Sequence, residues 1–348
     1  MLPCGTFNTQ YRQDMAICRT KTHWLWLGLL IVAGLTAPLY LRSDLLNIVN
    51  IMGITIVAVM GLNILTGYCG QISVGQAAFV ALGGSMSAAL TLNCGFPFWA
   101  ALPCAALTAG VVGLIFGLPS ARVKGFYLAV ATLAAHIIIM WAILHIDFFG
   151  AAGGISAKAP KIGGLVFNTH KSFYYLIIAS VALAAFFTKN VGRTRVGRAF
   201  IAIRDNDLAA ETLGINVVRY KLLAFFFCCA FGGWAGSLYA HYIAFADPDA
   251  FTLFDSIWYL GMLVVGGMGS TAGVFMGVIF MRALEFGATT YLAAALGEAF
   301  PAMAGVFAGF AMLVYGLVIL LFLIFEPRGL AHRWEIFKNS YRLNPFAY

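Results

Sequence analysis

The sequence predicts an all-α membrane protein, a polytopic helical bundle of about ten spans with both termini in the cytoplasm. Three observations carry that prediction. The 348 residues are 62% hydrophobic and 10% charged, against a charged share of roughly 25% in soluble domains, and mean hydropathy is +0.90. Apolar stretches of roughly 20 residues, the length that crosses a hydrocarbon core as helix, recur along nearly the whole chain. They are long runs of Leu, Ala, Gly, Met and Phe without short alternating segments, a pattern of helices and not of an outer-membrane barrel.

Taken in order, residues 1–23 read as a cytoplasmic tail carrying Arg12, Arg19 and Lys21. The apolar run 24–41 is long for a signal-peptide core and lacks a small-x-small cleavage site, so it reads as a retained first span. Further spans fall near 45–66, 72–92, 97–118, 125–146, 172–188, 222–245, 257–281 and 303–325, with a shorter candidate at 283–300. Together they make one membrane domain, 24–325. Basic residues gather in the N-terminal tail, the Arg122/Lys124 turn, the loop 189–221 and the C-terminal tail 326–348 (Arg328, Arg333, Lys338, Arg342). That is a positive-inside pattern, and it accounts for the net charge of +8 without nucleic acid.

The connection from Ala246 to Ser256, with Asp247, Asp249 and Asp255 and no base, falls outside, as does 147–171, whose Lys158 and Lys161 run against the rule. A cytoplasmic C-terminus demands an even number of crossings. Either 283–300 crosses, or the glycine-rich stretch near 257–281 dips in and returns; ten crossings are preferred. Trp24, Trp26, Tyr174, Tyr175, Trp258 and Tyr259 stand near span ends, where amphipathic rings favour the headgroup zone.

Two spans are interrupted by glycine. The first holds Asn63 to Phe79, with Gly67, Gly70, Gln71, Ser73, Gly75 and Gln76; the second holds Gly266, Gly267, Gly269, Ser270, Gly273 and Gly277. Glycine disfavours helix by about 1 kcal/mol relative to alanine, so such clusters mean close helix packing or unwound backbone lining a cavity. Both readings stand, and paired interruptions in the two halves of a chain point to a translocation site near the midplane. The candidate path residues are Gly70, Gln71, Ser73, Gln76, Gly266, Gly267, Gly269 and Ser270. The side-chain amides tip the first segment toward the path, because an unpaired amide facing lipid is costly.

Several chemistries are excluded. Seven cysteines, odd in number and without a Cys-x-x-Cys pair, indicate neither a disulfide framework nor a zinc site. His136, His145 and His241 are isolated and read as hydrogen-bonded structure, with no metal site. Arg282 and Glu285 are spaced for an i, i+3 ion pair, and Glu298 stands apart; a proton relay needs a denser chain of buried ionisable groups. There is no Gly-x-x-x-x-Gly-Lys-Ser/Thr, Gly-x-Ser-x-Gly or His-Glu-x-x-His, so the chain has neither a P-loop nor a recognisable hydrolytic site. Uphill transport would draw on an ion gradient or on another subunit, and few buried charges disfavour the gradient.

The polar interruption 189–221 carries seven basic and three acidic residues. At roughly 2.5 to 3.5 kcal/mol for each charge at a membrane centre, it must lie in water. Asp205 or Asn206 can cap a short helix that Gly214 ends in a left-handed conformation. On that helix Leu208, Ala209, Thr212 and Leu213 share one face, and Asp207 and Glu211 the other. So short a helix needs a surface to pack on.

The run Ala209-Ala210-Glu211 followed by Gly214 resembles the cytoplasmic coupling loop of ABC importer permeases, with the acid after the alanines instead of before them. Together with Asn63–Phe79 and Gly266-Gly267-Met268-Gly269-Ser270, the chain over roughly 45–325 is similar to the branched-chain amino acid ABC permease family, LivM-type subunit. The resemblance implies a multi-pass protein of the bacterial inner membrane working with a second related permease subunit, two ABC ATPase subunits, a periplasmic substrate-binding protein and membrane lipid. It assigns ATPase coupling to Arg204, Asp205, Asp207, Leu208, Glu211, Leu213 and Gly214. It places ATP and Mg in the partner subunits, with no cofactor on this chain. Relatives of this kind handle branched-chain amino acids, but also urea and short amides. The competing classes are an ion-coupled secondary transporter and an intramembrane enzyme.

Overall fold

The structure is a computed structural model that describes residues 28, 34–120, 125–162, 165–167, 169–288, 290, 304–326 and 328–343. The tail 1–23, residues 24–27 and 29–33 of the span 24–41, the Arg122/Lys124 turn and, beyond residue 290, the candidate crossing 283–300 with Glu298 lie outside the described residues.

Helix α1 (Ser43–Leu62) runs on into a π-helical turn, Asn63–Tyr68, and the 26 residues together are long and apolar enough to cross a membrane. Residues 70–75 are not helical, and α2 (Gln76–Leu92) begins four residues later than the expected span at 72–92. Backbone geometry explains the delay. Gly70 has φ +73°, the Thr66 hydroxyl donates to the Gln71 carbonyl at 2.9 Å, and the Val74 N–H donates to Thr132 Oγ1 at 3.0 Å. The segment's polar groups are satisfied without a helix.

Helices α3 (Phe98–Ser120), α4 (Phe126–His145), α5 (His170–Arg193) and α8 (Val217–Ile243) follow the expected spans, with α5 and α8 reaching beyond them. The loop 189–221 is mostly helical: α5 continues to Arg193, α6 covers Arg195–Asp205 and α7 covers Asp207–Thr212. Helix α8 is the axis of the bundle and packs against α1, α2 and α3. Close approach requires its glycines, since a Cβ on Gly83 of α2 would run into Gly233, and one on Gly236 into the Val80 carbonyl.

Of the two readings of 257–281, one straight span or a stretch that dips in and returns, the structure is at odds with the straight span. The stretch is two helices, α9 (Leu253–Gly266) and α10 (Thr271–Gly287), bent by 119°. Gly267 (φ +111°) and Gly269 (φ +83°) leave the right-handed helical region, and the Ser270 side chain caps α10 by accepting from the Gly273 N–H at 3.2 Å. Gly266 packs against Gly273, and Met262 against Gly277, so α10 returns along α9. Helix α11 (Ala304–Phe325) covers the expected last span. The expected tail 326–348 instead contains α12 (Gly329–Leu343), seated against α9 and α10.

The two faces of the bundle are defined by contacts. Strand β1 (Ile155–Ser156) pairs antiparallel with β4 (Phe245–Ala246), while β2 (Lys161–Ile162) pairs with β3 (Leu165–Val166). The connections 147–171 and 244–252 therefore meet on one face, as the sequence expects. The start of α1 is there too: the Tyr242 hydroxyl donates to Asn47 Oδ1 at 2.6 Å, and Asn50 donates to the His170 carbonyl at 3.0 Å. The opposite end of α1 meets α6.

Two of the histidines make contacts inside the bundle. His241 bonds to Ser87 Oγ at 2.9 Å and to the Lys158 carbonyl at 2.7 Å, and His136 lies 3.4 Å from Ser256 Oγ. Trp258 and Tyr259, expected in a headgroup belt, are buried, with Trp258 stacked edge-on against Tyr315. The α9–α11 contact takes up apolar area of Trp258.

Candidate functional site

The two glycine-rich segments, far apart in sequence, meet on the face that carries 189–221. Asn63, buried in the π-helical turn, accepts a hydrogen bond on Oδ1 from the Gly269 backbone N–H at 2.8 Å. A Cβ at Gly67 would sit 2.5 Å from that same nitrogen. Glycine is required at 67 because backbone meets backbone.

Arg204, near the end of α6, reaches this junction. Its Nη1 donates to the Gly67 carbonyl at 3.0 Å, while Nε and Nη2 donate to Asp205 Oδ1 at 3.1 and 3.0 Å. Its stem lies where a Gly70 Cβ would go, 2.8 Å from Cγ. A cavity of about 540 Å³ opens beside it, lined by Thr66, Gly67, Arg204, Gly267, Met268, Ser270, and by Arg328 and His332 next to and on α12. Gly267 also touches the Arg328 carbonyl and Ala331.

A second cavity of about 340 Å³ lies between α6, α7 and the 69–71 turn. Gln71 lines it, buried, with neither amide atom hydrogen-bonded to protein. Burial pushes the Cys69 thiol up to about 12, a rise that the nearby Lys221 ammonium moderates. Gln76 is placed differently. Its amide donates to the Ala58 and Cys228 carbonyls at 3.1 and 3.2 Å and accepts from Cys228 Sγ, which puts it inside the helix packing. Ser73 is buried and accepts from the Gly75 N–H at 3.4 Å.

The short helix α7 forms as its caps dictate. Asn206 Oδ1 accepts from the Ala209 N–H at 3.1 Å, and Gly214 takes φ +83°. Its packing departs from the expected two faces. Ala210 is the residue turned inward, at 1% exposed, and Asp207 faces the buried Lys221 ammonium at 3.7 Å. Leu208 and Leu213 are left 67% and 80% exposed, and Glu211 is also exposed. The apolar side therefore faces away from the chain's own body.

Arg282 and Glu285 form the expected i, i+3 ion pair at 2.7 Å, and Arg282 also donates to Thr55 Oγ1 at 3.1 Å. Among the described residues no three His, Cys, Asp or Glu side chains are grouped as a metal would require. Sequence reasoning passed over Asn63, Gly67 and the 328–332 segment as site residues. A signal for Asn63 existed, since an amide deep in an apolar helix needs a partner.

The glycine-interrupted turns and the capped helix α7 thus lie together at one end of the bundle. Residues 45–323 match the family described as branched-chain amino acid transport system / permease component. The chain belongs to this family. It is 30% identical over 331 residues to the high-affinity branched-chain amino acid transport system permease protein LivM of Escherichia coli K12, covering 88% of this chain and 74% of that one. It is 27% identical over 237 residues to the probable LivM of Methanocaldococcus jannaschii (66% and 67%). It is 24% identical over 269 residues to the ribose import permease protein RbsC of Escherichia coli K12 (74% and 81%). No solved structure matches. As a member of a permease family with apolar membrane-length helices, the chain is a multi-pass membrane permease and not itself an enzyme.

Proposed function

We propose that this permease is one membrane subunit of an ATP-driven importer for branched-chain or related amino acids, working in the bacterial inner membrane with the 189–221 face in the cytoplasm. A second related permease, two ATPases that bind ATP and Mg, and a periplasmic binding protein complete it. The observation that carries the reading is the exposed Leu208/Leu213 pair on α7, a capped helix anchored through Ala210 and Asp207 with its apolar side turned outward. Such a side needs a partner surface, and membership of a transport-system permease family supports an ATPase as that partner.

In this reading ATPase closure displaces α7, and the bundle rocks about the Gly67–Gly269 junction, where the path narrows. Gly70, Gln71, Gly266, Gly267, Gly269 and Ser270 belong to the inner part of that path. Gln76 supports it from within the helix packing. The crossings number ten: the 24–41 span, α1 with its π turn, α2, α3, α4, α5, α8, α9, α10 and α11. Helix α10 supplies the ninth, earlier in the chain than 283–300, and this returns the C-terminus to the cytoplasm.

Likeness to permeases whose names cite ribose and branched-chain amino acids fits a scaffold whose substrate choice is delegated to the binding protein. The experiment is a tagged pull-down in mild detergent with identification of copurifying subunits, repeated on Leu208→Asp/Leu213→Asp. The expected result is ATPase and second permease with the unaltered chain, and loss of the ATPase with the variant. Full ATPase recovery and normal leucine uptake by the variant would reject the coupling role.

A further inference from the structure

We propose that Arg204 is the positioning residue through which α7 acts on both glycine-rich turns, so that a displacement at the rim of the bundle reaches the translocation path. The inference rests on the coupling reading of α7 above and adds the route.

Arg204 stands two residues before Asn206, the cap of α7. A shift of α7 therefore moves the Arg204 backbone directly. The guanidinium is held from both sides: Nε and Nη2 fork onto Asp205 Oδ1, and Nη1 donates to the Gly67 carbonyl at 3.0 Å. A planar fork with several fixed donors transmits direction, which a lysine's single rotating ammonium does not. Its stem fills the space beside Gly70, and Nη1 lies 3.4 Å from where a Gly269 Cβ would stand.

From Gly67 the route continues through one π-helical turn to Asn63, whose Oδ1 receives the Gly269 N–H at 2.8 Å. The contacts run in series: the α7 cap, Arg204, Gly67, Asn63 and Gly269. A π turn is a common site of local give in a helix, so a pull at Gly67 can re-aim Asn63 without unfolding α1. Arg204 was first grouped with residues that face the ATPase. The geometry aims its Nη1 at the Gly67 carbonyl while the side chain stays 40% exposed at the rim.

The test uses the transporter purified with its copurifying subunits and binding protein, reconstituted in proteoliposomes, with leucine uptake and ATP hydrolysis measured together. Arg204→Ala, Arg204→Lys, Asn63→Leu, the Arg204→Ala/Asn63→Leu double variant and Leu208→Asp/Leu213→Asp are compared. For Arg204→Ala we expect the ATPases to remain bound and hydrolysing while uptake per ATP falls at least about tenfold. Arg204→Lys should fall between, and the double variant should be no worse than Arg204→Ala, as contacts in series require.

Unchanged uptake per ATP in Arg204→Ala overturns the proposal, as does uptake lost only in proportion to hydrolysis or yield. Should Arg204→Ala fail to assemble, Arg204→Lys and Asn63→Leu decide by the same ratio. A Leu208→Asp/Leu213→Asp transporter that keeps its ATPases and full uptake rejects the coupling reading instead. Loss of ATPase there with a normal ratio in the Arg204 variants rejects this inference alone.

Discussion

Asn63 Oδ1 and the Gly269 backbone nitrogen lie 2.8 Å apart, joining two turns separated by more than half the chain. The contact needs a short acceptor on one side and a backbone without Cβ on both, which is why Gly67 and Gly269 flank it. It is the point where the two halves of the bundle touch at one end. Its neighbours, Arg204 and the α12 segment, come from elements that reach this end from elsewhere in the sequence.

Asn63→Leu keeps much of the volume and removes the acceptor. The Gly269 N–H is partly buried, so leaving it unsatisfied costs up to about 1–3 kcal/mol; the purified complex should show a lower thermal midpoint, and leucine uptake should fall. A midpoint and uptake equal to those of the parent would show that the contact carries no weight.

Gly67→Ala should be far more harmful than Gly214→Asn, although both change a glycine beside a helix end. At 67 the new methyl meets backbone at 2.5 Å, whereas Gly214 has nothing within 4 Å of a Cβ and asparagine tolerates its φ of +83°. Expression, thermal midpoint and uptake for the two variants check this; the expected outcome is loss at 67 and a change under about 1 kcal/mol at 214.

Asp207→Ala should destabilise more than Glu211→Ala, because it strips the partner from the buried Lys221. The difference expected is about 1–3 kcal/mol. Adding Lys221→Met should recover most of it, since removing both charges is cheaper than stranding one. Chemical denaturation of the detergent-solubilised chain measures each step.

Cys94 is exposed in the connection between α2 and α3, and Cys69 is buried at the opposite end. With its thiol raised to about 12, Cys69 stays neutral through pH 7 to 9 and reacts slowly with maleimide. In cells permeable at the outer membrane, an impermeant maleimide should label a variant whose lone cysteine is Cys94 and spare one whose lone cysteine is Cys69. Labelling of Cys94 solely after the inner membrane is opened would invert the proposed orientation.

Much of the bundle was legible because membrane insertion imposes a requirement on each segment separately. Spans such as 97–118, 125–146 and 222–245 announce themselves by length and apolarity, whatever they pack against. The caps of α7 were legible for a similar reason, since Asn206 and Gly214 act within one turn of their own position. The break at 267–269 was legible only as one of two readings, because clustered glycines serve close packing and helix termination alike, and the left-handed φ values choose between the two. The burial of Trp258 was not legible, since it depends on α11 lying across α9.

Sequence by itself determined that this chain is helical and membrane-spanning, with one loop too charged for a membrane core, since hydrophobicity, charge bias and capping are properties of consecutive residues; the permease family came from likeness to relatives. Only the tertiary structure decided which residues meet: that Asn63 holds Gly269, that Arg204 reaches the Gly67 carbonyl, and that α7 presents Leu208 and Leu213 outward on Ala210. Those are relations between distant segments. A hydrogen bond at 3.0 Å, or a backbone approach that leaves no room for a Cβ, is set by how helices dock, and docking leaves no periodic trace in the order of residues.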